Sequence, residues 1–116
     1  MDKARRKALS QQFQKAMPEA GAYRILNRRT GRLLLGSTVN LAGLRNRFEF
    51  ARSTDSATAL DQRLAEDIRS LGFDSFAFEV LDLLETSPEM TATQVAADLA
   101  ILETLWREKT DPSLLY

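Results

Sequence analysis

The spacing of apolar residues changes along this 116-residue chain, and each change marks a predicted element. Residues 22–26 and 32–35 are short apolar or mixed runs typical of strands. Asn27 and Gly31 stand at the two ends of the segment between them. They supply the turn residue and the positive-φ position of a hairpin loop with a bulge. Residues 21–36 are therefore predicted to form a β-hairpin.

Helical spacing follows the hairpin. Asn40 precedes an apolar series that runs through Leu41 and Phe48 to Ala51, so it is predicted to cap a helix. A second amphipathic helix is expected to end at Gly72, a residue type favoured just after a helix. Its apolar positions recur at intervals of four, four and three and are Leu60, Leu64, Ile68 and Leu71.

The last third of the chain predicts a strand and a helix. Residues 75–84 are apolar at both alternating sets of positions, which is typical of a central strand covered on both faces. Thr91 and Gln94 form a capping-box pattern at the start of a last, amphipathic helix. Residues 19–116 thus predict one α+β domain with a small three-stranded, mainly antiparallel sheet, the hairpin plus a third strand, flanked by helices.

Residues 1–18 are predicted to be a basic helical arm. Their content of Lys, Arg, Gln and Ala favours a helix over residues 2–16, which ends before Pro18. Leu9 and Phe13 are the apolar side chains through which this arm would dock onto the domain.

The composition removes several kinds of chemistry. The chain has no cysteine and no histidine, which excludes disulfides, thiolate metal sites and catalysis built on those residues. Any catalysis must rest on Tyr, Glu, Asp, Lys or Arg. No apolar run approaches the ~18–20 residues of a membrane helix, and the N-terminus lacks the apolar region of a secretory signal. These features predict a cytoplasmic protein without a membrane partner.

Charge is divided unevenly although the net charge is zero. Residues 1–52 carry 12 Lys and Arg against 3 Asp and Glu, whereas residues 53–116 carry 4 against 13. A basic half is typical of a surface that faces a polyanion such as nucleic acid. Alternatively, the halves neutralise each other across the fold or between protomers. The sequence leaves both interpretations open, and with them the oligomeric state.

Glu103 borders the apolar stripe of the last helix, beside Leu102 and Trp106. A carboxylate in such a place is costly unless it is paired with a cation or bound to a metal. The residues alone leave both roles open, that of a structural partner for an arginine and that of a metal ligand.

Two short motifs lie on the predicted hairpin, Gly-Ala-Tyr at residues 21–23 and Leu-Leu-Gly at residues 34–36. Together with the strand-to-helix passage at residues 36–41 and the third strand at residues 76–81, they resemble the GIY-YIG nuclease superfamily over roughly residues 20–110. The resemblance implies metal-assisted hydrolysis of phosphodiester bonds, with Mg²⁺ or Mn²⁺ as the cofactor.

The resemblance also implies roles for individual residues. Tyr23 matches the first-strand tyrosine that helps to deprotonate water, and Glu103 matches the glutamate of the last helix that binds the metal. A hard cation such as Mg²⁺ accepts a single carboxylate plus waters. Asn40 matches the position that opens the helix, where capping explains it fully.

Other positions depart from the family's pattern. Leu34 stands where the second-strand tyrosine is expected, and Phe48 where many members have histidine or tyrosine. Leu44 stands at the usual arginine position, so Arg45 or Arg47 would have to stabilise the phosphate charge. The family's late asparagine has no clear equivalent. Since each lost transition-state contact commonly costs ~10²–10³ in rate, these departures imply weak or absent catalysis.

The favoured hypothesis is a domain that binds nucleic acid, DNA rather than RNA, with weakened or lost phosphodiesterase activity. The residues expected to bind nucleic acid are Arg24, Arg28, Arg29, Arg32 and Asn40. The alternatives are a protein-interaction module and an active, divalent-metal-dependent endonuclease. The site of that endonuclease would consist of the catalytic residues Tyr23, Arg45 and Arg47 and the metal ligand Glu103.

Overall fold

The computed structural model describes residues 18–116, and the helix predicted over residues 2–16 lies outside the described residues. The fold is α+β, as the sequence predicts. The strands are β1 (Ala20–Asn27), β2 (Leu33–Thr38) and β3 (Phe76–Leu84). The α-helices are α1 (Leu41–Ser53), α2 (Ala57–Leu60), α3 (Gln62–Leu71) and α4 (Ala92–Glu108), and short 3₁₀ turns cover Phe73–Ser75 and Pro112–Leu114.

The three strands form one antiparallel sheet in the order β2-β1-β3. The central strand is therefore β1, and the expectation that residues 75–84 form the central strand is wrong. That expectation rested on the apolar residues of β3, but Val80 and Leu83 are exposed rather than covered. The register of β1 against β3 shifts between Ala22 and Tyr23, which marks a β-bulge at Leu81 of β3, opposite the start of the central strand.

The main hydrophobic core lies between one face of the sheet and helices α1 to α3. Ile25 of β1 faces Leu34 across one ladder and Phe78 across the other, so this face is continuous over all three strands. The helix α4 contacts all three strands. Its Leu99 is buried but does not belong to the main core. The core between sheet and helices includes Ile25, Leu34, Phe48, Ala51, Leu64, Ile68 and Phe76.

The helix predicted from Leu60 to Leu71 is divided in two. Asp61 is extended, with φ −162° and ψ 133°, so α2 ends before it and α3 begins after it. The other end signals are confirmed. Gly72 ends α3 with φ +83°, Asn40 caps α1, and α4 begins with both hydrogen bonds of its capping box.

The hairpin loop is organised by Asn27, which is fully buried. Its side-chain oxygen accepts hydrogen bonds from the backbone of Arg29 and Thr30, at 3.0 and 3.4 Å. Its side-chain nitrogen donates to the hydroxyl of Tyr116 at 3.0 Å, and that hydroxyl donates to Asp67 at 2.7 Å. The loop is thereby joined both to the C-terminal residue and to α3. Gly31 has φ +79°, as the predicted loop requires.

Candidate functional site

Tyr23 lies near the start of the central strand with its ring half-buried on the main core face. The ring stacks on Phe78 of β3, with centroids 5.5 Å apart and planes 17° apart. Gly36 is its partner across the β1–β2 ladder. A Cβ atom at residue 36 would lie 2.5 Å from the Tyr23 hydroxyl oxygen, so the absence of a side chain there makes room for the phenol.

Glu103 reaches the same part of the sheet from α4. Its carboxylate accepts a long hydrogen bond from the hydroxyl of Ser37, at 3.5 Å, and Ser37 follows the glycine that lies beneath Tyr23. The other carboxylate oxygen lies 3.7 Å from the guanidinium of Arg107, one helical turn further along. Glu103 therefore has an arginine within ion-pair distance, as one of the two roles left open by the sequence requires.

Tyr23 and Glu103 belong to one electrostatic cluster. Burial raises the pKa of Tyr23 above its usual value, and the negative charges of Glu103 and Asp61 raise this pKa further. The positive charges of Arg63 and Arg47 oppose that shift. The side chains of the protein therefore favour the neutral phenol over the phenolate that a base would need.

Asp61 and Arg63 are members of the cluster that the sequence does not predict. Asp61 caps α3 by accepting from the backbone of Arg63 at 2.8 Å, and its two oxygens accept from the Arg63 guanidinium at 3.1 and 2.9 Å. The hydrogen bonds from Arg63 hold the pKa of Asp61 below its usual range. An Asp directly before Gln62, the first residue of α3, is an N-cap signal, and it could have marked the helix start.

The two arginines predicted on α1 occupy different surroundings. The Arg47 side chain is exposed, and its charge acts on both Tyr23 and Asp61. The Arg45 guanidinium lies 5.4 Å from the centroid of the Phe78 ring, an arrangement that favours a cation–π contact. Of the two, Arg47 is therefore the arginine that belongs to the Tyr23 cluster.

Two of the apolar residues at positions where the GIY-YIG resemblance implies polar side chains lie in the core. Leu34 and Phe48 are 4% and 2% exposed, and Phe48 packs against Phe78 directly beside Tyr23. Leu44 is half-buried. The floor of the cluster is consequently hydrophobic, and its polar groups come from the neighbouring elements.

The residues predicted to bind nucleic acid divide into two groups. Arg24 is paired with Glu79 at 2.9 Å, Arg32 lies over the ring of Tyr116, and Asn40 caps α1 by accepting from the backbone of Gly43. These three have structural roles. Arg28 and Arg29 are exposed at the hairpin loop and line an open cleft of about 860 Å³, together with Arg52 of α1. The same cleft is also lined by the acidic residues Glu49, Asp55 and Asp74.

The cluster fits a divalent metal poorly. Glu103 and Asp61 are its carboxylates, and each is already in contact with an arginine. Among residues 18–116 no group of three or more acidic side chains is arranged to hold a metal ion. A Mg²⁺ or Mn²⁺ ion at Glu103 would have to compete with Arg107 and would lie in the field of two more arginines.

Among residues 18–116 no helix is long and apolar enough to cross a membrane.

No protein-family model, curated protein or solved structure matches this chain significantly. The α+β fold therefore stands on the structure alone, and the likeness to GIY-YIG nucleases rests on the motifs of the sequence.

Both tyrosines of the chain, Tyr23 and Tyr116, have pKa values that burial raises above 10. Well below pH 10 both phenols are neutral in the folded and the unfolded chain. As the pH rises through 10 the unfolded chain loses protons first, so the free energy of unfolding should fall. Absorbance titration should give phenolate midpoints above those in denaturant, and Tyr23→Phe should leave the Tyr116 transition alone. Native midpoints equal to the denatured ones would contradict the burial of both phenols.

Proposed function

We propose that this domain binds nucleic acid, DNA rather than RNA, on a GIY-YIG-like scaffold whose phosphodiesterase activity is weakened or lost. The pairing of both carboxylates of the Tyr23 cluster with arginines is the observation that carries the loss of activity. Hydrolysis by the family's route needs a carboxylate free to hold a metal and an aqueous pocket for the scissile phosphate. Here Arg107 and Arg63 hold the carboxylates, and Leu34 and Phe48 fill the floor.

The proposed binding surface consists of the exposed arginines Arg28, Arg29, Arg45 and Arg52, and it is called the arginine surface below. Arg45 and Arg52 are seven residues apart on α1, which places them on one face of the helix about 10 Å apart along its axis. Arg52 shares its cleft with the hairpin arginines, and a hydrogen bond of 2.8 Å from the Arg28 backbone to Ser75 holds the loop beside that cleft. Guanidinium groups spread over this distance suit successive phosphates of a nucleic acid.

Removing two charges from the arginine surface should weaken DNA binding and its dependence on salt. For the double variant Arg28→Gln/Arg29→Gln, the slope of log affinity against log salt should become shallower by about 2, because each phosphate contact contributes about one. The measurement is fluorescence anisotropy with a labelled DNA duplex over a series of salt concentrations.

The matched control is Arg69→Gln/Lys109→Gln, which removes the same charge from exposed positions on α3 and after α4. Equal weakening by both double variants would mean that binding follows net charge and not this surface. Tighter binding of an RNA duplex of the same sequence would reverse the preference for DNA. Failure of the parent to bind any nucleic acid would favour the protein-interaction module instead.

The loss of activity is tested by a cleavage assay with Mg²⁺ or Mn²⁺ on single- and double-stranded DNA. We expect the parent and Glu103→Gln to show the same background, because Glu103 serves Arg107 and Ser37 rather than a metal. Metal-dependent cutting by the parent that falls by ~10²–10³ in Glu103→Gln would instead support the active endonuclease, with Tyr23 and Arg47 as its other residues.

A further inference from the structure

An apolar surface is exposed where the end of β3 meets α4, and it is called the β3–α4 face below. Ile101 and Leu105 are 61% and 49% exposed on it. Together with Leu84 and Leu102 they line a shallow groove. Large aliphatic side chains that are exposed together on a small domain mark a surface that another segment covers.

The β3–α4 face is continuous with the point at which residues 1–17 join the domain. Pro18 and Glu19 line a cleft of about 610 Å³ together with Leu83 and Leu84. Leu84 also lines the apolar groove. A chain that arrives at Pro18 therefore meets the groove within a few residues, and a segment of 17 residues is long enough to follow it, since even a helix of that length spans about 25 Å.

The charges around the β3–α4 face favour a basic occupant. Asp98 lines the groove, Glu85 lines the adjoining cleft, and Asp82 lies beside Trp106 of α4 at 3.4 Å. In a symmetric pair of copies the same acidic border would approach itself, which is unfavourable. Residues 1–17 carry five Lys and Arg against one Asp, with Leu9 and Phe13 as apolar side chains.

We propose that residues 1–17 dock on the β3–α4 face of their own chain. Leu9 and Phe13 enter the groove between Leu84 and Leu105, and the basic side chains pair with the acidic border. This docking neutralises the most basic segment of the chain against the acidic half. The segment therefore does not contribute its charge to the arginine surface, and the inference is independent of the proposed function.

The absence of cysteine permits a clean test in the full chain. A nitroxide label at Gln12→Cys should broaden the amide NMR signals of Leu84, Ile101 and Leu105 and leave those of the hairpin loop at Arg28 sharp. Asp98→Lys should reduce the broadening severalfold, because it reverses a charge of the acidic border. The matched control is Glu66→Lys, an exposed acidic position on α3, and it should leave the broadening unchanged.

A mixture of spin-labelled chains with isotope-labelled chains that carry no nitroxide separates the two possible occupants. We expect no broadening in the mixture, since the contact is intramolecular. Broadening of the β3–α4 face in the mixture would show that a second copy supplies the segment. Unbroadened signals on that face in the singly labelled chain, or equal effects of the two charge reversals, would overturn the proposal.

Discussion

Replacing Phe48 with histidine should lower the free energy of unfolding by about 3–5 kcal/mol, the range for loss of a buried aromatic ring. Phe48 is 2% exposed, and its ring lies 6.3 Å from that of Phe78 and 6.4 Å from that of Phe73. An imidazole at this position would leave part of that volume unfilled and would bury polar nitrogen atoms among apolar side chains.

The same helix supplies a matched control for this variant. Phe50 lies two residues further along α1 and is 64% exposed, so Phe50→His should change the free energy of unfolding by less than about 0.5 kcal/mol. Urea denaturation of both variants measures the difference in the free energy of unfolding. Equal slopes of this free energy against urea concentration would show that both variants expose similar amounts of surface when they unfold. The comparison keeps the substitution, the helix and its propensity the same and changes only the burial.

The result bears on catalysis because the resemblance to GIY-YIG nucleases implies histidine or tyrosine at residue 48. A large loss of stability would show that this position belongs to the core and that its side chain cannot contact a phosphate. A stable Phe48→His variant that gains metal-dependent cleavage would contradict both the packing and the proposed loss of activity.

Local signals in the sequence predict most of the secondary structure. Asn27 and Gly31 place the hairpin loop, and the Thr91–Gln94 capping box places the start of α4. In each case the few residues that set the signal also make the hydrogen bonds or adopt the φ angle that defines the end of the element. Such signals need no information from distant parts of the chain.

Strand order could not be predicted in this way. The apolar residues at both alternating sets of positions in β3 suggested a central strand, but its Val80 and Leu83 are exposed. An apolar strand at the edge of a sheet and one at its centre have the same local pattern, and only long-range pairing distinguishes them. The central strand β1 begins with two small residues, Gly21 and Ala22, so its own pattern did not indicate that it is paired on both sides.

The candidate site was predicted in part. The motif positions identify Tyr23 and Glu103, and the structure brings both to the same end of β2, at Gly36 and Ser37. Asp61 was missed because the series of leucines and isoleucine continues through it with helical spacing, although its backbone is extended. Only the fold places it in the electrostatic field of Tyr23.

Replacing Gly21 with alanine should destabilise the sheet by about 3 kcal/mol, the upper part of the usual range for overpacking. A Cβ atom at residue 21 would overlap the backbone carbonyl oxygen of Asp82 and would press on Leu41 at 3.2 Å. Because the obstacle is backbone in a paired strand, β1 and β3 would have to separate next to the bulge. Amide hydrogen exchange along β1 and urea denaturation measure the two effects.

Gly72→Ala is the matched control, since a Cβ atom at that position meets nothing within 4 Å and only its backbone conformation, φ +83° and ψ 152°, opposes the change, at about 1–3 kcal/mol. Amide exchange along β1 that is no faster in Gly21→Ala than in Gly72→Ala would contradict the close approach of the strands. Faster exchange along β1 in Gly21→Ala would explain the first motif glycine by packing alone, as the Tyr23 ring explains Gly36. Two glycines that resemble a nuclease signature would then be required by the sheet itself, so their presence is compatible with a scaffold that binds phosphates without cutting them.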